Sequence, residues 1–278
     1  MHASALRLSL VVGLASALSA CGGGGGGSSS AGGGSGGGGS TPTPPVSNAS
    51  PGGIWQGIDP ISRLPVYALA AEDGRFQLIV DDPAPVTQYW GTLVTSGSSL
   101  SSSNIQVAMG PTYLGTATIT GGSLTARQSL TAPVSFTPAP GCAVAVCGGP
   151  QSGTLTLTFN PVYNQGGALS RITGNWQDQF TGQIININSA GVLFAQEVST
   201  GCITNGQVST INTAYNAYAV TYTLSNCRFP NNLQNGTTAT GLAFVDTSVT
   251  PNRAYFAGQY RVGNTAYSVY GAGPKVGG

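Results

Sequence analysis

The sequence predicts an all-β protein with two successive antiparallel β modules of about eight strands each, built as barrels or sandwiches. Apolar and polar residues alternate with period two from Gly52 onward, and helical periodicity is almost absent. The stretch Glu72-Asp73-Gly74-Arg75 separates two such runs and is a strong hairpin signal. The segment that starts at Gly53 is repeated from Gly174, which indicates two related modules.

Residues 1–20 are expected to form a signal peptide. A short basic segment ends at Arg7, and the apolar run from Leu8 to Leu18 is too short to span a bilayer comfortably. The following Leu18-Ser19-Ala20-Cys21 resembles the lipobox of bacterial lipoproteins. The resemblance implies cleavage before Cys21 and acyl chains on that cysteine, which anchor the protein in a lipid bilayer. An ordinary secretory signal with the same cleavage site is the alternative.

Residues 21–50 are expected to join the lipidated cysteine to the folded part through a disordered Gly/Ser/Pro linker. The stretch after Cys21 carries no charge and too little apolar surface to order itself. Gly22 stands where an aspartate would retain a lipoprotein in the inner membrane, so the lipobox resemblance implies the outer membrane, facing either the surface or the periplasm. A cysteine followed by a glycine run also resembles surface lipoproteins of Gram-negative bacteria, including transferrin-binding and complement-factor-binding ones.

The first β module is placed at residues 51–160. In its last run Leu155, Leu157 and Phe159 alternate with threonines, as expected of a strand with one buried face. The Asp73-Gly74 pair predicts a tight type I′ turn, because this turn needs two residues with positive φ. The repeat consists of Gly-x-Trp-Gln followed by a strand, a glycine turn and another strand.

The second module, at residues 161–278, is expected to begin with the only plausible helix, around residues 167–171. Leu169 and Ile172 would face the module. A short helix followed by Gly-x-Trp, here ending in Trp176, resembles the opening of lipocalin-type calycin barrels. In that family the tryptophan closes the base of the barrel against a basic residue, and the resemblance implies Arg261 or Arg127 for this role.

Core packing at the start of a strand is the alternative explanation for Trp55 and Trp176, and it is the one we favour. Both explanations predict that the two tryptophans are buried. Further strands in the second module follow from alternation such as that of Tyr218, Val220 and Tyr222 with smaller or polar residues.

The cysteines predict disulfides. With Cys21 lipidated, four of the five cysteines remain, and an even number in an exported chain favours disulfide bonds. Three pairings of Cys142, Cys147, Cys202 and Cys227 are possible, and the local one joins the first two and the last two. Neither pair has the C-x-x-C spacing of a zinc site, so no metal is expected.

The charge composition excludes several classes of partner and of catalyst. Only 6% of the residues are charged, and cleavage before Cys21 removes His2 and Arg7, which leaves a neutral chain without histidine. No basic stripe exists for nucleic acid or anionic lipid. A serine hydrolase would need a histidine base, so Gly33-Gly34-Ser35-Gly36-Gly37 is a match of composition only. No cofactor and no calcium site is expected.

Two carboxylates are the only catalytic candidates. Asp178 and Glu197 lie on neighbouring strand-like runs near Trp176, an aromatic residue that could stack on a sugar, and glycosidases need only two carboxylates. A solvated strand face explains the pair better, so catalytic residues are predicted to be absent. Tyrosines are concentrated in the second module, where we favour cross-strand pairing over surface recognition: Tyr215, Tyr218, Tyr222, Tyr255, Tyr260, Tyr267 and Tyr270.

These observations predict a non-enzymatic outer-membrane lipoprotein whose β modules bind a protein or glycan partner or serve an envelope-structural role; the binding residues are not specified by the sequence. A carrier of a small apolar ligand in a calycin-like barrel is the first alternative, and a glycan-active enzyme the second. A transmembrane barrel is a further alternative for the alternating strands. The lipobox, the short strands and the abundant Thr and Ser on both faces argue against it.

Overall fold

The computed structural model describes residues 48–80, 86–110, 112–228, 234–263 and 265–277. Strands account for most of these residues, as the sequence predicts, and the two β modules follow one another along the chain. The expected signal peptide, Cys21 and most of the linker lie outside the described residues.

The first module is a closed antiparallel barrel. Its sheet follows chain order, β9 pairs back onto β1, and β4 pairs with β6, so eight strands close on themselves while the short β5 extends along β6. Among the described residues, each of these eight strands pairs with a neighbouring strand on both sides, which protects the sheet edges. The strands are β1 Gly53–Ile58, β2 Pro65–Ala70, β3 Arg75–Val80, β4 Thr87–Thr92, β5 Val94–Ser96, β6 Ser99–Met109, β7 Thr112–Thr125, β8 Ser129–Pro138 and β9 Gln151–Asn160.

Side chains fill the interior of the first barrel. Leu155 and Leu157 are buried while the alternating threonines Thr154, Thr156 and Thr158 are exposed, which confirms the predicted alternation along β9. Trp55 is 1% exposed and packs with buried aliphatic residues from the other strands. Its indole Nε1 donates a hydrogen bond to the Pro51 carbonyl at 3.1 Å, which satisfies the buried donor.

Within the described residues, short helical segments lie between strands at three named places, whereas the sequence predicts one helix. The helix α1, Val144–Cys147, lies within the loop that the Cys142–Cys147 disulfide closes. A 3₁₀ helix, Pro161–Gln165, starts with proline at its first position and is capped by the Asn160 side chain. The helix α2, Leu169–Ile172, is the predicted one. Its first and last residues pack against the core of the second module, as predicted.

The second module is an eight-stranded antiparallel meander that curls into a half-barrel. The edge strands β10 and β17 approach each other at the bridge between Trp176 and Lys275, and Val276 N donates to Asn175 O at 2.8 Å. The strands are β10 Gly174–Gln177, β11 Ile184–Ile187, β12 Val192–Gln196, β13 Ile203–Thr210, β14 Tyr218–Ser225, β15 Thr238–Asp246, β16 Arg253–Val262 and β17 Thr265–Pro274.

The second hairpin of each module has the same loop. Ala71 N donates to Arg75 O at 2.8 Å in the first module, and Asn188 N donates to Val192 O at 3.0 Å in the second. Gly74 and Gly191 have φ of 86° and 79° at equivalent positions. Each loop therefore holds three residues, the last of them left-handed. The predicted type I′ turn is wrong, because the residue before Gly74 does not have the positive φ that this turn needs.

The first hairpin of each module repeats as well. Asp59 Oδ2 accepts hydrogen bonds from Ser62 N at 2.6 Å and Ser62 Oγ at 2.7 Å, and Asp178 Oδ2 accepts from Thr181 N at 3.0 Å and Thr181 Oγ1 at 2.7 Å. Trp176 Nε1 donates to the carbonyl four residues earlier, as Trp55 Nε1 does. The repeat seen in the sequence is thus a repeat of loop geometry.

The two modules pack against each other through an apolar cluster and a ladder of amides. Leu69 of the first module and Leu242 of the second belong to one buried cluster. Gln88 Nε2 donates to Gln77 Oε1 at 2.6 Å, and Gln77 Nε2 donates to Gln259 Oε1 at 2.6 Å. These contacts hold the half-barrel against the closed barrel.

Both disulfides join cysteines that are near in sequence. Cys142 pairs with Cys147 and Cys202 pairs with Cys227, with Cα separations of 6.0 and 4.0 Å. Of the three pairings left open by the sequence, the structure has the local one.

Candidate ligand-binding cavity

A cavity of about 470 Å³ lies within the curled sheet of the second module, and its wall is mostly apolar. This volume is in the range of small-molecule pockets, roughly 300–1,000 Å³. The cavity exists because the inner positions of several strands carry small residues, among them Ala195, Ala243 and Gly271. These residues are not among the sequence-based candidates, although small residues at inward positions are the signal that could have revealed the cavity.

One end of the cavity is apolar, and we call it the floor. The helix α2 contacts β13 and β15 at this end of the sheet, and the strands turn there between β11 and β12 and between β13 and β14. Because side chains alternate between the two faces of a strand, every second residue points into the cavity. The floor residues are Ile172, Trp176, Ile187, Leu193, Val208 and Val220.

Trp176 is held in place on the floor from two sides. Its Nε1 donates to Ile172 O at 2.8 Å, and the Lys275 ammonium lies 5.8 Å from its ring centroid. The calycin resemblance implied Arg261 or Arg127 for the basic partner, but the cation over this ring is Lys275, and Arg127 lies 4.4 Å above the Tyr215 ring. Lys275, the basic partner of Trp176, directly follows β17. It reaches the tryptophan only because the curled sheet brings the end of β17 next to β10.

Aromatic residues form the middle of the wall. The rings of Tyr222 and Phe256 lie 5.7 Å apart, and Tyr260 stacks on Tyr267 at 5.0 Å. Burial raises the pKa of the Tyr260 hydroxyl to about 12 and raises the pKa of Tyr222 as well. These tyrosines therefore stay neutral at physiological pH. Tyr260 and Tyr267 form a cross-strand pair between β16 and β17, which is the predicted role, whereas Tyr222 and Phe256 lie on β14 and β16 with β15 between them.

The opposite end of the cavity is polar, and we call it the rim. It is formed by the loops that follow β10 and β12 and by residues near β13 and β15. The Cys202–Cys227 disulfide ties the start of β13 to the end of β14 there, and Cys202 lines the cavity. The polar rim residues are Asp178, Thr181, Gln183, Glu197, Thr204 and Gln234.

The structure brings Asp178 and Glu197 to the same cavity, but each carboxylate accepts hydrogen bonds from residues of its own loop. Asp178 Oδ2 accepts from Thr181, and Glu197 accepts from Ser199 Oγ at 3.0 Å and Thr200 Oγ1 at 2.6 Å. Hydroxyl contacts of this kind stabilise turns. Asp178 is buried rather than solvated, since it is 8% exposed, so the predicted solvated strand face is wrong for this residue.

Asp178 Oδ1 is buried and has no hydrogen-bond partner in the structure. A buried carboxylate oxygen without a donor is costly, because its lost hydration is not replaced. It is one of few such atoms among the described residues, and it lies beside the cavity.

The described residues contain no group of three or more His, Cys, Asp or Glu that could hold a metal ion. No helix within the described ranges is long and apolar enough to cross a membrane. Neither a protein-family model nor a curated protein sequence matches this chain.

Proposed function

We propose that this chain is a lipid-anchored, non-enzymatic binding protein that holds a small apolar ligand in the cavity of its second module. The observation that carries the proposal is the cavity itself, with an apolar floor and a polar rim. Apolar surface around an open cavity is stabilised when a ligand removes it from water.

The contrast between the two modules supports this proposal. Both are eight-stranded meanders with the same first two hairpin loops, yet large side chains fill the first barrel whereas the second encloses open space. If both modules had only a structural role, we would expect side chains to fill the interior of the second module as they fill the first. The first module is then a scaffold against which the half-barrel packs.

The anchor is the second component of the proposal. It rests on the lipobox ending in Cys21 and on the uncharged linker that follows. Acyl chains on Cys21 would hold the ligand-binding module near a membrane, where apolar molecules concentrate. We propose the outer membrane, with the protein facing either the cell surface or the periplasm.

Binding is tested with the full chain in its Cys21→Ala form, which we expect to lose detergent-phase partitioning and appear in the aqueous fraction. Solvent extraction followed by mass spectrometry should release an apolar molecule. Val220→Phe should lower the affinity for Nile red at least about tenfold, because Val220 lines the cavity. Thr221→Phe is the matched control, since Thr221 is the exposed neighbour of Val220 on β14.

Equal affinities of the two variants and the wild type, or no ligand and no dye binding at all, would refute the cavity function. Unchanged detergent partitioning of Cys21→Ala would refute the anchor.

A macromolecular partner is the second candidate function, and one surface favours it. Large apolar side chains on the outer face of β11 and β12 are 45–46% exposed, namely Ile184, Val192 and Phe194. Adjacent exposed apolar residues are common at protein interfaces. If the protein proves to carry no ligand, this face is where a partner should be sought, by cross-linking from a cysteine placed at Asn186.

A further inference from the structure

The rim carries an unpaired acceptor next to open space. Asp178 is 8% exposed, its Oδ2 is occupied by Thr181, and its Oδ1 has no partner. On the facing strand β17, a Cβ added to Gly271 would lie 3.8 Å from that oxygen, so the glycine leaves this side of the carboxylate uncrowded. Folding removes the hydrogen bonds that this oxygen makes to water in the unfolded chain. A hydrogen-bond donor on a bound ligand would replace them.

The charged residues that line the cavity have one sign, whereas Lys275 and Arg253 lie outside its lining. Glu197 is the second carboxylate among the residues that line it, and no lysine or arginine is present among the described lining residues. A negative head group placed at the rim would be repelled by both carboxylates, and a positive one would be attracted. A fatty acid is therefore a poor match for this cavity.

We propose that the cavity selects an apolar amine, with the hydrocarbon part on the floor and the protonated amino group at Asp178. This inference rests on the proposed function, because it names the ligand class of the same cavity. A small rotation about the Cβ–Cγ bond of Asp178, whose torsional profile is broad, turns Oδ1 toward the ligand. The resulting hydrogen bond is charge-assisted, and such bonds are roughly twice as strong as neutral ones.

The test compares three probes of equal chain length on the full chain in its Cys21→Ala form: decylamine, decanol and decanoate. Calorimetry at pH 7.5 should show that decylamine binds at least about tenfold more tightly than decanoate, with decanol in between. Asp178→Asn should abolish this preference. The asparagine keeps an oxygen for Thr181, and it replaces the unpaired acceptor by a donor.

Asp59→Asn is the matched control. Asp59 caps the equivalent loop of the first module with the same kind of contacts, and it is 6% exposed, but it does not line the cavity. The preference for decylamine should survive this change. Circular dichroism and thermal unfolding of both variants check that the loop itself is preserved.

The outcomes separate the two proposals. If none of the three probes binds, the cavity function fails and this inference fails with it. If decanoate binds as tightly as decylamine, or Asp178→Asn keeps the preference, the cavity function stands and the role of Asp178 is refuted. A loss of preference in Asp178→Asn alone supports the inference.

Discussion

The tyrosine hydroxyls in the second module place a limit on stability at high pH. Tyr260 is 7% exposed, and burial raises its pKa from 10.0 to about 12. Its ionisation is therefore easier in the unfolded chain than in the folded one. The stabilisation that follows from this difference is fully present below pH 10, and it is lost as the pH rises toward 12.

We expect the free energy of unfolding to fall between pH 10 and pH 12, by about 2 kcal/mol for Tyr260 alone. In Tyr260→Phe this part of the pH dependence should disappear, because the titrating group is gone. Urea unfolding of both proteins at pH 8, 10 and 11 measures the effect. Curves that fall equally steeply in the wild type and the variant would contradict the assignment to Tyr260.

At the scale of the element, the glycines of the hairpin loops differ in what surrounds them. Gly191 has φ of 79°, and a Cβ there would overlap the carbonyl oxygen of Val208 on β13. Gly182, in the preceding loop, has φ of 71°, and a Cβ there would meet nothing within 4 Å. Of these two glycines, only Gly191 combines backbone strain with a steric overlap.

Gly182→Ala should therefore lower the free energy of unfolding by about 1 kcal/mol, from the left-handed conformation alone. Gly191→Ala should lower it by about 3 kcal/mol, because β13 must also move. Denaturant unfolding of the two variants gives the comparison directly. A Gly191→Ala variant as stable as Gly182→Ala would mean that the close approach to Val208 is not maintained in solution.

The same elements indicate what the sequence can predict. Alternation along β9 and β14, burial of both tryptophans and the loop repeat follow from local patterns, and the structure confirms them. The cavity depends on pairings between residues far apart in sequence, such as β10 with the residue after β17, so Lys275 could not be chosen over Arg261 or Arg127. The short helix α1 was missed, because a single turn within a disulfide loop has no periodicity to detect.

At the scale of the whole molecule, the contact between the modules is formed by buried residues. Leu242 is 3% exposed and belongs to a cluster with Leu69 of the first barrel, and the buried Gln88 also donates to the Gly258 carbonyl at 2.9 Å. Separating the modules would expose these apolar and amide groups to water without any gain in internal contacts. The two modules should therefore unfold together.

Leu242→Ala tests this cooperativity, because it removes apolar volume from the contact and should cost about 3 kcal/mol. In hydrogen exchange, the slowest amides of β2 and β3 in the first barrel should lose as much protection as those of β14. Val208→Ala, a change in the floor of the cavity far from the contact, should lower protection in both modules too. If it leaves the first barrel unchanged, the modules unfold independently, and the closed barrel is a separate domain rather than the scaffold of the half-barrel.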